Sequence, residues 1–431
     1  MKYYSINKNS ERVSFKEATI KGQAPDKGLY FPEMIPPVDK SLIDNIESLS
    51  NEEIAFRVIK PYVGNEINDD DLFNIVSETV NFSIPLVKVN DNIFSLELFY
   101  GPTLAFKDVG ARFMSRCLGY FLKKEEKKVT VLVATSGDTG GAVANGFYDI
   151  PGVDVIILYP SGKVSPVQEK QLTTLGKNIH ALEIEGNFDD CQQMVKQAFV
   201  DDDINQKLFL TSANSINVAR WLPQQFYYFF AYKQWTEKNH PPVISVPSGN
   251  FGNVCAGILA KQSGLPVHHF IAACNVNDAV TAYLKTEIFQ AQTAVPTLSN
   301  AMDVGNPSNF IRILEIFHHQ FPDLAKNLSS YSISDEETMA TIKEVYEQTK
   351  YTLDPHGAVG YLSLKRFLQT HPGRKGIFLE TAHPVKFPDA VEKATGKKIE
   401  PPFSISSIMK LEKKSLKMNA SYESFKNFLL D

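Results

Sequence analysis

The sequence predicts an α/β protein built on parallel sheet. From about residue 129 onward, short β-branched runs alternate with helical stretches, the pattern of strands joined by crossover helices. At 431 residues the chain is longer than one core usually supports, so two or three packed units are expected. No internal repeat or low-complexity tract points to a solenoid or a tailed scaffold instead.

Along the chain, the first eighty or so residues are charged and loop-rich, with Pro32, Pro36 and Pro37 interrupting the pattern; they read as a partly helical N-terminal unit. Asp108 could cap a helix beginning at Val109, in which Phe113, Cys117 and Phe121 recur every four residues on one face. Strands are expected at 129–134, 153–159, 179–184, 243–246, 270–273 and 377–380. Gly-rich turns after the first and fourth of these lead into helical runs at 142–147 and 254–260. In sheets of this kind ligands gather at the carboxyl ends of the strands, where loops meet helix N-termini.

Composition narrows the partners. The 44 basic and 49 acidic side chains leave a formal charge of −5 with no long single-sign block, which argues against a nucleic-acid or acidic-lipid surface. Cys117, Cys191, Cys255 and Cys274 lie far apart and form no Cys-x-x-Cys pair, so neither a zinc site nor a disulfide framework is expected. A reducing compartment is the simplest setting. The start lacks the apolar core of a secretory signal and no stretch approaches bilayer-spanning length, so the expected location is the cytoplasm.

Four loops carry candidate chemistry. Pro247-Ser-Gly-Asn-Phe-Gly-Asn253 follows a strand and precedes a helix, which suits a phosphate; an ordinary Gly-rich turn would read the same way. It lacks the Gly-Lys-Ser/Thr ending of a nucleoside triphosphate loop. Thr135-Ser-Gly-Asp-Thr-Gly-Gly141 offers hydroxyls and a helix N-terminus to an anion such as a substrate carboxylate, although Asp138 would repel it unless turned away; an N-cap role for Asp138 stands beside that reading.

Lys107, in Gly101-Pro-Thr-Leu-Ala-Phe-Lys107-Asp108, would sit just outside a helix N-terminus. There the helix dipole and burial both favour the neutral amine, the form that attacks an aldehyde. For an isolated lysine, a solvated helix start is the commoner reading. Thr381 ends the last strand, where its hydroxyl could face a heteroaromatic nitrogen or be structural. His356 and His383 have no partners at metal-ligand spacing.

In combination these runs resemble threonine synthase, of the longer microbial and fungal type among the pyridoxal-phosphate enzymes of the tryptophan synthase β fold. The resemblance covers nearly the whole chain. It includes Gly28-Leu-Tyr-Phe-Pro32, Leu158-Tyr-Pro-Ser-Gly-Lys163, Ser212-Ala-Asn-Ser-Ile-Asn217, Asn300-Ala-Met-Asp303 and Thr381-Ala-His-Pro384 beside the loops above.

It implies fold type II, with two parallel-sheet α/β domains and an additional N-terminal unit. The corresponding segments are 1–85, a discontinuous cofactor domain 86–128 with 240–400, a smaller domain 129–239, and a C-terminal extension 401–431. It makes Lys107 the Schiff-base lysine, assigns Gly249, Asn250, Phe251 and Asn253 to the cofactor phosphate, and sets Thr381 against the pyridine nitrogen.

The reaction implied is conversion of O-phospho-L-homoserine and water to L-threonine and phosphate, the last step of threonine biosynthesis, so two phosphates must be held at once. Ser136, Thr139, Lys163 and Asn214 are the candidates for substrate contacts, with Ser212, Arg112 and Asn217 behind them. Two positions depart from common patterns. Tyr100 replaces a frequent histidine, and Asp138 replaces the asparagine of the wider fold but matches the threonine synthase form. A threonine or serine dehydratase of the same fold, or a non-catalytic phosphate-binding module, would be the alternatives, and the oligomeric state, monomer or homodimer, is left open.

Overall fold

The runs rich in Val and Ile form two sheets, in a computed structural model that describes residues 1–123 and 128–431. Residues 124–127, within the expected 86–128 segment, lie outside the described residues. A two-stranded antiparallel sheet, β1 (Tyr3–Ser5) with β2 (Tyr30–Pro32), begins the chain. The larger sheet has the order β11-β10-β9-β12-β4-β3. Its strands are β3 (Leu86–Lys88), β4 (Ile93–Glu97), β9 (Val243–Pro247), β10 (His269–Cys274), β11 (Leu328–Ser332) and β12 (Gly376–Glu380). All its pairings are parallel except that of the edge strand β3.

The smaller sheet, wholly parallel, has the order β13-β7-β6-β5-β8. It comprises β5 (Val129–Ala134), β6 (Val153–Pro160), β7 (Ile179–Glu185), β8 (Phe209–Ser212) and β13 (Ser415–Asn419). The six strands expected from β-branched runs are all present, extended at most by a residue at either end. Strands β8, β11 and β13 lie at sheet edges and mix polar residues among apolar ones, which hides them from a search for continuous apolar runs. The C-terminal segment is thus built into the fold: β13 pairs with β7 in register from Ser415 opposite Ala181 to Asn419 opposite Glu185.

The helix bearing Lys107 differs from expectation in its start. It runs Lys107–Leu122 and is preceded by Phe106, which makes no side-chain cap. Asp108 is therefore not its N-cap. The loop before it turns back through Leu104 at φ 56°, and Asp108 points into that loop, accepting the Thr103 backbone N–H at 2.9 Å and the Thr103 hydroxyl at 2.6 Å. The apolar stripe of this helix does what its spacing indicates. Phe113 and Phe121 meet the ring of Phe15, on the first helix of the N-terminal unit, at centroid distances of 6.5 and 6.2 Å.

Asp138 is likewise no N-cap. The helix Asp138–Phe147 is preceded by Gly137, and Thr135 Oγ1 accepts the N–H groups of Gly137 at 3.0 Å and Gly140 at 2.8 Å. The helix after the Gly-rich turn spans Gly252–Gln262, two residues earlier than expected at its start, because Phe251 adopts a left-handed φ of 61°. Among the described residues no helix is long and apolar enough to cross a membrane.

Candidate active site

The carboxyl ends of β5, β9 and β12 open onto one cleft of about 710 Å³. It gathers segments more than a hundred residues apart in the chain, and every site residue anticipated around Lys107, at 136 and 139, at 163 and 214, from 249 to 253 and at 381 lines it.

Lys107 is half-buried on the cleft wall. Its place is fixed by the backbone: Phe106 N–H donates to the Thr381 carbonyl at 2.9 Å, and Ala105 forms a β-bridge with Ala382. The lysine and the end of β12 are therefore tied side by side. Burial lowers the Lys107 pKa to about 8; Lys386 and Arg220 push the same way, while Asp138 opposes. The Thr381 side chain, 5% exposed, makes no hydrogen bond to protein among the described residues, leaving its hydroxyl free for a ligand.

The turn after β9 is a ready anion cradle. Among the described residues the backbone N–H groups of Gly249, Asn250, Phe251, Gly252 and Asn253 donate to no protein acceptor, and they lead into a helix N-terminus. Asn253 adds a buried side-chain donor, because its Oδ1 accepts Tyr228 OH at 2.8 Å while Nδ2 has no partner. Gly249 admits no side chain, since a Cβ there would lie 2.6 Å from Met302 Cα. Asn250 contributes only backbone: its Oδ1 accepts Ser308 N–H at 2.6 Å and its Nδ2 donates to Ser215 Oγ at 2.8 Å. An array of neutral donors with one orphaned amide fits the phosphate of the cofactor that the sequence implies.

In the same cleft, Thr135 occupies two of the N–H groups at the start of helix Asp138–Phe147, and among the described residues those of Ser136, Asp138 and Thr139 have no protein acceptor. Asp138 does not face an incoming anion. Its Oδ1 accepts from Lys386 Nζ at 2.8 Å and from Gln168 Nε2 at 3.0 Å. Although burial alone would raise its pKa, Lys386 and then Lys107 hold the Asp138 carboxyl well below the usual range. Lys386, wholly buried, was not anticipated; a lysine inside Pro384-Val-Lys386-Phe-Pro388 was the available signal.

Arg220 was also missed. It is 4% exposed and lines the cleft. One guanidinium nitrogen binds the Ala213 carbonyl, Nε has no partner, and no carboxylate forms an ion pair with it among the described residues. The sequence signal was an arginine inside the apolar run Val218-Ala-Arg220-Trp-Leu222. Asn214 lines the same cleft with a buried Oδ1 that has no partner among the described residues, and Lys163 is exposed at the rim.

Other candidates belong to the scaffold. Arg112 binds the Glu78 carbonyl and Asn81 of the N-terminal unit. Asn217 is buried, donates to the Thr19 carbonyl at 2.8 Å and caps the helix Val218–Trp221, and Ser212 Oγ accepts Asn214 N–H at 3.3 Å. Tyr100 lies outside the cleft, half-exposed, donating to Glu97 Oε2 at 2.8 Å. His383 caps the turn Pro384–Lys386 through Nδ1. His356, by contrast, lines the cleft. Among the described residues no cluster of three or more His, Cys, Asp or Glu is arranged to hold a metal.

Comparison with known proteins bears directly on this geometry. A family model described as pyridoxal-phosphate dependent enzyme matches residues 82–379, and models for the threonine synthase N terminus and C-terminal region match 2–80 and 357–429. A threonine synthase from Serratia marcescens is 44% identical over 431 residues, covering 100% of this chain and 99% of the relative. The chain belongs to the threonine synthase family. The crystal structure of threonine synthase from Escherichia coli superposes with a TM-score of 0.93 at 42% identity, covering 100% of this chain and 99% of that one. A pyridoxal-phosphate-bound threonine synthase from Brucella melitensis gives 0.94 at 35% identity, covering 100% and 98%.

The fold is accordingly that of the pyridoxal-phosphate type II enzymes, and pyridoxal phosphate is the cofactor. The N-terminal and C-terminal matches set threonine synthases apart from a bare catalytic core, which makes the packed first helix and strand β13 family features rather than additions peculiar to this chain.

Proposed function

We propose that the protein converts O-phospho-L-homoserine and water to L-threonine and phosphate. The observation that carries the substrate is that the cleft holding Lys107 is lined by two anion sites: the neutral N–H cradle at Gly249–Asn253 and the buried guanidinium of Arg220, which among the described residues has no carboxylate partner. A cofactor phosphate needs only one of them. A substrate bearing its own phosphate uses the other.

In this reading Lys107 holds the cofactor through its Nζ, Gly249, Phe251 and Asn253 hold its phosphate with the backbone of Asn250, and Thr381 meets the ring nitrogen through a hydroxyl that imposes no proton on it. Bound there, pyridoxal phosphate supplies an electron-withdrawing ring that acidifies the substrate carbons next to it. The free N–H groups of Ser136 and Thr139 receive the substrate carboxylate. Arg220 and Asn214, with Lys163 at the rim, hold the substrate phosphate.

Lys107 moves protons at the substrate, since its lowered pKa of about 8 leaves about a tenth of the free amine unprotonated at neutral pH, so it can accept as well as donate. The four free, buried cysteines agree with a cytoplasmic setting.

Purified protein given O-phosphohomoserine is expected to release phosphate and threonine in equal amounts. Formation of 2-oxobutyrate alone would overturn the reading in favour of a dehydratase. Replacing Arg220 with methionine is expected to lower kcat/KM for the phosphorylated substrate by about a hundredfold or more, the loss typical of removing a buried charged partner, while the protein still binds pyridoxal phosphate.

A further inference from the structure

Behind the cleft, two carboxyl groups are buried against each other. Glu380 ends β12, immediately before Thr381, and Asp354 caps the helix Pro355–Thr370; both are 0% exposed. The Asp354 backbone N–H donates to Glu380 Oε1 at 2.7 Å, and among the described residues the other oxygens, Asp354 Oδ2 and Glu380 Oε2, are buried without a partner. Burial and the neighbouring Asp354 raise the Glu380 pKa well above the usual range, so Glu380 keeps its proton. The packing leaves no slack: a Cβ on Gly357 would fall 1.6 Å from Glu380 Oε2, so only glycine fits there.

Asp354 is in turn committed to His356. Its Oδ1 accepts the His356 backbone N–H at 2.7 Å and lies 2.6 Å from His356 Nδ1. On the far side of the ring, His356 Nε2 accepts the Ala301 backbone N–H at 3.2 Å. An acceptor role at Nε2 requires the proton on Nδ1, so these partners assign a neutral imidazole held by Asp354. Ala301 belongs to the short turn Asn300–Met302, and that turn is the surface on which the phosphate cradle rests: a Cβ on Gly249 would meet Met302 Cα at 2.6 Å and the Ala301 carbonyl oxygen at 2.9 Å. The chain of contacts therefore runs from the end of β12, through Glu380, Asp354 and His356, to the back of Gly249.

We infer that His356 is a positioning residue for the cofactor phosphate. It clamps the Asn300–Met302 turn against Gly249 and so fixes the direction of the cradle N–H groups, while the buried acid pair fixes the ring. This step rests on the assignment of Gly249–Asn253 to that phosphate. In this inference the ring acts through its bond to Ala301 and not on the phosphate directly. Among the described residues the Ala301 N–H has no other acceptor, so losing His356 Nε2 releases the turn rather than redistributing a bond.

The test uses full-length protein stripped of cofactor and compares dissociation constants for pyridoxal phosphate and for pyridoxal, which lacks the phosphate. His356→Phe is expected to weaken pyridoxal phosphate binding roughly tenfold, the scale of one buried N–H left without a partner, and to leave pyridoxal binding unchanged. His356→Gln, whose amide oxygen can take over as acceptor, is expected to restore most of the preference for the phosphorylated form. Ala301→Pro removes the same hydrogen bond from the cleft side without touching the buried acids, so it serves if His356→Phe does not fold, and it should reproduce the selective loss.

Equal weakening of both ligands, or no change in either variant, overturns the inference. Asn253→Ala is the reference for the cradle itself. Loss of phosphate preference there, with none in the His356 and Ala301 variants, refutes the His356 step alone; no loss in any variant refutes the cradle. Neither result bears on whether the wild-type protein makes threonine, which the product assay decides separately.

Discussion

Lys386→Met is the most informative perturbation of the cleft wall. The Lys386 and Asp138 side chains are 0% and 4% exposed and meet at 2.8 Å. Removing the ammonium strands a buried carboxylate, which in comparable pairs costs about 3–5 kcal/mol. Gln168 still donates to the same Oδ1 at 3.0 Å, so the lower end, about 3 kcal/mol, is expected here. In the double variant Lys386→Met with Asp138→Asn no charge is left alone, and the amide keeps a partner in Gln168. Its stability should return to within about 1 kcal/mol of wild type, a coupling of roughly 2 kcal/mol or more across the four proteins.

Urea unfolding of the cofactor-free proteins, followed by the cycle of four midpoints and slopes, measures this coupling. The acid side gives an independent check. Because the Asp138 pKa is depressed in the fold, the pair's contribution is present above the unfolded carboxylate pKa of about 4 and is lost as pH falls through the folded value. Lys386→Met should therefore flatten the acid limb of the stability profile. Additivity of the two substitutions within about 0.5 kcal/mol would refute the account of Asp138 as a carboxylate held by Lys386.

Cofactor-free protein should take up pyridoxal phosphate at a rate that rises about tenfold per pH unit below 8 and levels above it, following the neutral fraction of Lys107; a plateau reached only near 10.5 would contradict the lowered pKa. Gly249→Ala should weaken pyridoxal phosphate binding by at least about tenfold, because its Cβ would lie 2.6 Å from the Met302 backbone and the cradle must move; equilibrium titration reads the effect. Tyr100→Phe should leave kcat and KM within about twofold of wild type, since the hydroxyl reaches Glu97 and not the cleft; a larger fall in steady-state assays would return this position to the chemistry.

Much of this architecture is legible in the sequence because the buried parallel strands are uniform in chemistry. Val129–Ala134 needs only its β-branched run to be found, and the turns that follow β5 and β9 announce themselves by glycine. Edge strands such as β11, with Ser329, Ser330 and Ser332, carry no such mark. The misreading of Asp108 and Asp138 has one cause. An acid beside a helix start satisfies the local rule for a cap, yet both side chains found stronger partners in segments that local pattern does not address, Thr103 in one case and Lys386 in the other. Arg220, Lys386 and His356 are not legible in the sequence for a related reason. Their meaning depends on being buried with a donor unpaired, an ion pair closed or an acceptor aimed at a turn, and none of these is a property of spacing.

The Asp138–Lys386 contact also has two consequences that need not move together. Asp138 begins the helix whose N-terminus opens onto the cleft, beside the smaller sheet; Lys386 follows β12, on the larger sheet that leads into Thr381. Their pairing ties the loop proposed to receive the substrate to the segment that follows Thr381, and proton transfer between bound groups is steeply sensitive to such alignment. Asp138 also raises the proton affinity of Lys107, so its charge works against the neutral amine. In Asp138→Asn the geometric and electrostatic effects should separate. The Lys107 pKa should fall below about 8, speeding cofactor uptake at neutral pH, while kcat/KM for the substrate falls because the loop loses its ionic anchor. If uptake and turnover instead rose together, alignment would not be what the buried pair provides; if both fell, the charge of Asp138 would not be what Lys107 feels.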